Sequence, residues 1–159
     1  VNGDPNSVPY NNVSLASPSV NLEGTNYSSP SLRAIQGNFS IVLQGGSTAS
    51  NTNGATIRQT AQIPLATQSI TYWGAALQST FNGQMLSFIA TSNAPNFTVW
   101  TADISAYAGQ YGQLSFTAPW QSSGLLDNIQ FSSAPIPEPN GLALAALGGL
   151  LLGLRRWKK

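Results

Sequence analysis

Before residue 135 no stretch of this chain keeps a helical period, and from Asn38 onward its apolar residues recur at every second position. Phe39, Ile41 and Leu43 alternate with Ser40, Val42 and Gln44. After a Gly-, Ser-, Thr- and Asn-rich loop over 45–54, Ile57, Ala61 and Ile63 alternate with Thr56, Arg58, Thr60 and Gln62, and Pro64 closes the run. Ile70 with Tyr72, Leu86 with Phe88 and Ala90, Phe97 with Val99, Leu114 with Phe116, and Ile129 with Phe131 repeat the theme. Side chains along a strand point alternately to the two faces of a sheet, so this pattern specifies strands with one apolar face. A further short strand is expected over 20–23. Residues 1–34 are rich in Asn and Ser, and Pro5, Pro9, Pro18 and Pro30 exclude a long helix there. One helical turn is expected at Asp103, which can cap it, with Ile104 and Tyr107 three apart and Gly109 to end it.

Seven or more short strands with regularly spaced turns specify an all-β fold, a β-sandwich. A jelly roll is the preferred form and an immunoglobulin-like sandwich the alternative. No internal repeat is visible, which argues against a solenoid or β-helix. The sandwich is expected over 1–134, a common size for one domain, followed by a separate tail over 135–159.

Charge is scarce, at 7% of residues. Before residue 135 four carboxylates (Asp4, Glu23, Asp103, Asp127) face only two cations, Arg33 and Arg58. Nucleic-acid binding needs a clustered basic surface, so it is disfavoured. The chain has no His and no Cys. Ser-His and Cys-His nucleophile pairs are therefore absent, and a zinc site would lack its usual ligands. Too few carboxylates remain for a glycosidase pair, which must stand about 5 to 9.5 Å apart. A non-catalytic protein is expected.

The tail begins with Pro135-Ile136-Pro137-Glu138-Pro139. An uncharged apolar run of 14 residues follows over 141–154, and then Arg155-Arg156-Trp157-Lys158-Lys159. As a helix the run spans about 21 Å at about 1.5 Å per residue, against a hydrocarbon core of about 30 Å. It reads as a single short C-terminal transmembrane helix, with Arg155, Arg156, Lys158 and Lys159 as the basic stop. Positive charge stays on the cytoplasmic side, so the preceding domain is expected outside. The chain opens on Val1 with no cationic and apolar leader. With such a tail, the expectation is that an export signal was removed or that this sequence is a fragment.

Pro137-Glu138-Pro139, the Leu/Ala/Gly-rich run and Arg155-Arg156 resemble the PEP-CTERM sorting signal of exported bacterial proteins, a tail also labelled the C-terminal domain of ice-binding proteins. The resemblance covers about the last 23 residues, with all three parts in order. It implies export, recognition of Pro137, Glu138 and Pro139 by an exosortase-type membrane protease, and processing of the tail. It also implies a protein anchored in the membrane before processing, then placed at the cell surface or in the extracellular matrix.

Three further segments, in order, resemble the galactose-binding-like jelly roll of carbohydrate-binding modules. They are Ile57-Arg58-Gln59-Thr60-Ala61-Gln62-Ile63-Pro64, Asp103-Ile104-Ser105-Ala106-Tyr107-Ala108-Gly109-Gln110 and Leu126-Asp127-Asn128-Ile129-Gln130-Phe131. That family often binds sugars. Its members often hold a structural calcium ion between the terminal strands, which here implies Glu23 and Asp127 as carboxylate ligands. Strand parity puts Asp127 on the face of Ile129 and Phe131, the expected core face. The competing reading is that Asp127 accepts backbone N–H bonds or pairs with Arg33 or Arg58. The candidate glycan contacts are Trp73, Trp100 and Trp120, because flat rings can stack on sugars; their competing role is core packing.

Overall fold

Consecutive strands of this chain switch repeatedly between two sheets. The computed structural model describes residues 18–50 and 52–136. The sorting motif at 137–139, the apolar run at 141–154 and the basic stop lie outside them. Among the described residues no helix is long and apolar enough to cross a membrane.

The described residues hold ten strands: β1 (Ser19–Gly24), β2 (Phe39–Gln44), β3 (Ala55–Gln62), β4 (Ser69–Gly74), β5 (Gln78–Phe81), β6 (Gln84–Met85), β7 (Ile89–Asn93), β8 (Thr98–Asp103), β9 (Tyr111–Ala118) and β10 (Ser123–Ser132). One sheet has the order β1-β2-β10-β4-β8-β7 and the other β3-β9-β5-β6. Every pairing is antiparallel. The all-β sandwich expected from the alternation is therefore the fold. The expected helical turn is a 3-10 turn at Ser105–Tyr107, with Gly109 at φ 76° behind it. Asp103 Oδ1 accepts from the Ser105 N–H at 2.8 Å. That bond, then the Ser105 side chain, holds the Asp103 carboxyl below its ordinary value of 3.8. The contribution of this bond is present above that value and is lost as pH falls below it, through the lower folded value.

The core lies between the sheets. Tyr72, Ile70 and Leu126 face it from the six-stranded sheet, and Phe116, Phe81 and Ala118 from the other. Tyr72 meets Phe88 and Phe116 edge-on, with ring centroids 4.9 and 5.3 Å away. Leu86 and Phe88 do not form the strand that their spacing suggests. They lie between β6 and β7, where the chain crosses from one sheet to the other and both side chains turn inward.

The β5–β6 hairpin was not visible in the apolar pattern, but it has a local cause. Asn82 at φ 49° and Gly83 at φ 80° make a two-residue turn with both dihedrals left-handed, the geometry that Asn-Gly favours. A second departure lies on β1 and β2. Val20 pairs with Leu43 and Leu22 with Ile41 on the inner face, yet Asn21, Glu23, Ser40 and Val42 on the outer face are also buried.

Candidate functional site

The implied calcium residues lie in one row across the outer face of the larger sheet. Glu23 pairs with Ser40 across β1 and β2, and Asp127 pairs with Trp73 across β10 and β4. The Ser40 hydroxyl joins the row, donating to Asp127 Oδ2 at 2.6 Å. Asp127 thus faces outward, not into the core with Ile129 and Phe131. The parity argument fails because a bulge follows Asp127 and Asn128 adopts φ 47°. An extra residue in one strand reverses the faces of everything beyond it.

The surroundings of Asp127 are donors. Oδ2 also accepts from the Gln36 N–H at 3.0 Å, and Oδ1 from the Asn128 N–H at 2.7 Å. Ser40 Oγ accepts in turn from the Ile35 N–H at 2.8 Å. Arg33 turns elsewhere, donating from Nε to the Tyr27 carbonyl at 2.7 Å. N–H and O–H groups directed at a carboxylate stabilise its charge but repel a cation. Calcium takes about six to eight oxygens. No group of three or more acidic, His or Cys side chains that could hold a metal occurs among the described residues. The arrangement does not fit calcium. It fits a clasp that ties residues 35–36 to β2 and β10.

Removal of that clasp has a direct readout. Asp127→Ala is expected to cost about 2 kcal/mol, because three hydrogen bonds to a charged group go and two backbone N–H groups lose their acceptor. Urea denaturation measures it. The melting temperature of the parent is expected to be unchanged by EDTA.

The tryptophans occupy three separate places. Trp73 is half-buried on the outer face and stacks on Phe97 at 4.9 Å, with 13° between the planes. Trp100 pairs with Tyr72 and packs against the core from the inner face. Its Nε1–H donates to the Gly74 carbonyl at 3.2 Å. Trp120 is 44% exposed, in the turn between β9 and β10. The structure therefore does not assemble Trp73 and Trp100 on one surface, since they lie on opposite faces of their sheet. Trp73 has an aromatic partner, Phe97, that the strand pattern had assigned only to packing.

Two concavities accompany these features. One, of about 390 Å³, lies beside the Trp73–Phe97 stack and is lined by Leu32, Ala75, Pro95, Phe97, Thr98 and Leu125 among others. The other, of about 320 Å³, opens between the sheets, with walls of Ile57, Leu114, Phe116, Ile129 and Phe131. Sequence reasoning missed the second because Ile129 and Phe131 were assigned to a closed core.

The fold and its surface define an all-β sandwich with a polar clasp and two clefts. No family model, no curated protein and no solved structure matches the chain.

Proposed function

We propose that this chain is a non-catalytic, exported bacterial surface or extracellular-matrix protein, sorted through its C-terminal PEP-CTERM signal by an exosortase-type membrane protease. The observation that carries the reading is the order of the tail: Pro137-Glu138-Pro139, the uncharged run over 141–154, then Arg155-Arg156. A short apolar span with cations on one side holds a protein in a bilayer with its preceding domain outside. The preceding domain suits such a place. Its surface carries little charge and many Ser, Thr, Asn and Gln side chains. Leaving β1 and β7 aside, the strands stack as β2-β10-β4-β8 over β3-β9-β5-β6. This interleaving of early and late strands supports the jelly roll, the preferred form of the sandwich.

The test is the intact mass of the mature protein from its native host, taken after cell fractionation. The expected result is a loss that places the new C-terminus near Pro137-Glu138-Pro139, in a surface or matrix fraction. A full-length product ending at Lys159 in the inner membrane would make the tail a plain anchor and remove the sorting role.

A carbohydrate-binding module is the second reading, favoured by the exposed ring of Trp120 and by the stacked Trp73–Phe97 pair. Retention on immobilised polysaccharide decides it. Trp120→Ala is expected to reduce retention; binding equal to the parent would remove that residue from the site.

A further inference from the structure

Among the described residues the edges of the two sheets are β1, β7, β3 and β6. An open edge invites pairing with another chain, so edges are ordinarily short, bulged, covered or charged. β6 has two residues. β7 has five, with a register shift between Ala90 and Ser92. β1 is mostly buried. β3 is neither short, bulged nor covered. It pairs with β9 at all eight of its residues without a shift, and it contains no proline. Arg58, Gln59, Thr60, Ala61 and Gln62 are all exposed, and Arg58 is the one charge. Gln59, Ala61 and Gln62 also line the cleft with Ile129 and Phe131, which are 39% and 40% exposed, so an apolar surface adjoins this edge.

The ladder shows which backbone groups of β3 are open. The Ile63 N–H donates to the Gln110 carbonyl at 2.9 Å, so residue 63 turns its amide toward β9. Successive residues of an antiparallel strand turn their amides to opposite sides. Ala61 and Gln59 therefore also face β9, while Arg58, Thr60 and Gln62 face away. The other side of β9 agrees. The Gln113 carbonyl, opposite Thr60, accepts from the Asn82 N–H at the end of β5, not from β3. Among the described residues no hydrogen bond reaches the outward backbone groups of Arg58, Thr60 or Gln62.

We propose that this edge pairs with the same edge of a second copy of the chain, antiparallel about a two-fold axis at Thr60. The bonds form only in registers that set outward-facing residues opposite one another. Centred on Thr60, Arg58 stands opposite Gln62 of the second copy and Thr60 opposite its own counterpart. About six backbone hydrogen bonds result, all between exposed residues. Centring on Arg58 would oppose two guanidinium groups, which destabilises a cross-strand pair. Centring on Gln59 would draw in Thr56 and Ile57, both half-buried. The chosen register sets the strand's one charge against a neutral amide, so the edge is complementary to itself, as a two-fold interface requires. The pairing is separate from the Trp120 and Trp73 surfaces and does not depend on how the tail is processed.

The experiment is sedimentation equilibrium of the full chain up to about 1 mM. One added strand is a small interface, so a monomer–dimer equilibrium with a dissociation constant of roughly tens of micromolar is expected. Thr60→Lys and Thr60→Glu each oppose like charges at the axis and are expected to weaken the dimer at least about tenfold; an equimolar mixture of the two is expected to restore it. The chain has no cysteine of its own. Thr60→Cys, with its two Cα atoms about 5.5 Å apart, is expected to give a disulfide-linked dimer on mild oxidation. Arg58→Cys, with its copies about 14 Å apart, is expected not to. Circular dichroism checks that the variants fold. A parent that stays monomeric at about 1 mM would overturn the proposal. So would a dimer that both charged variants leave intact, which would place association elsewhere, as at the apolar run over 141–154. Linkage through Arg58→Cys but not Thr60→Cys, or a mixture no tighter than its components, would overturn the two-fold at Thr60.

Discussion

Tyr72→Ala is expected to lower stability by about 3 to 5 kcal/mol in a urea titration, the range for removing a large buried aromatic ring. The ring is fully buried and is central to the sandwich, touching Phe88 from the crossing segment and Phe116 from the opposite sheet. Its hydroxyl has a second task. It donates to the Ala75 carbonyl and accepts from the Leu77 N–H, both at 3.1 Å. The phenol thereby fixes the path of the chain from β4 to β5. Tyr72→Phe isolates that task and is expected to cost about 1 kcal/mol.

The same hydroxyl predicts a pH dependence. Burial pushes it above its ordinary value of 10.0, while the Leu77 N–H pulls in the other direction. The folded state therefore keeps the phenolic proton at a pH where the unfolded chain releases it. Its contribution is complete below pH 10.0 and is lost as pH rises through the higher folded value. Tyr72→Phe is expected to lack this part of the alkaline loss. Stability curves for the two proteins that fall in parallel above pH 10.0 would refute the assignment.

Gly74→Ala is the second large effect, expected to cost about 3 kcal/mol or more. Gly74 sits at φ 146°, where its neighbours leave no room. A Cβ would collide with the Leu125 carbonyl oxygen, which already accepts from the Ala75 N–H at 3.0 Å. The Gly74 carbonyl also accepts the Trp100 indole. The position thus joins β4, β8 and β10 at one point. Gly83→Ala separates the causes, because Gly83 has φ 80° but nothing within 4 Å of an added Cβ. It is expected to cost about 1 to 2 kcal/mol, from the left-handed backbone alone. Equal losses at both glycines would mean that the collision at Gly74 relaxes.

The strands with strict alternation were legible because burial of one face imposes a period of two, as in Tyr72 and Ile70 on β4 or Phe116 on β9. The β5–β6 hairpin was missed although its signal was local: Asn82-Gly83 alone could have revealed it. Other errors had no local signal. Nothing in Asp127-Asn128-Ile129 announces that Asn128 turns left-handed, yet that one dihedral moves Asp127 to the outer face. The clasp followed from pairing Ser40 with a residue 87 positions away, which only the folded topology brings together. The separation of Trp73 from Trp100 has the same origin. Both rings were candidates for glycan contact, but antiparallel register puts Tyr72, not Trp73, beside Trp100.

The strand order also sets when folding can begin. β9 lies between β3 and β5, and β10 lies between β2 and β4. Each sheet therefore receives an interior strand from the last part of the described chain. Until β9 has emerged as far as Ala118, β3 and β5 have no common neighbour, and β2 and β4 have none until β10 has emerged. Contacts of such long sequence separation form slowly, because loop closure precedes the gain. The β1–β2, β5–β6 and β7–β8 pairs can form as the chain grows, whereas each sheet gains its interior strand, β9 or β10, only from the last part of the described chain.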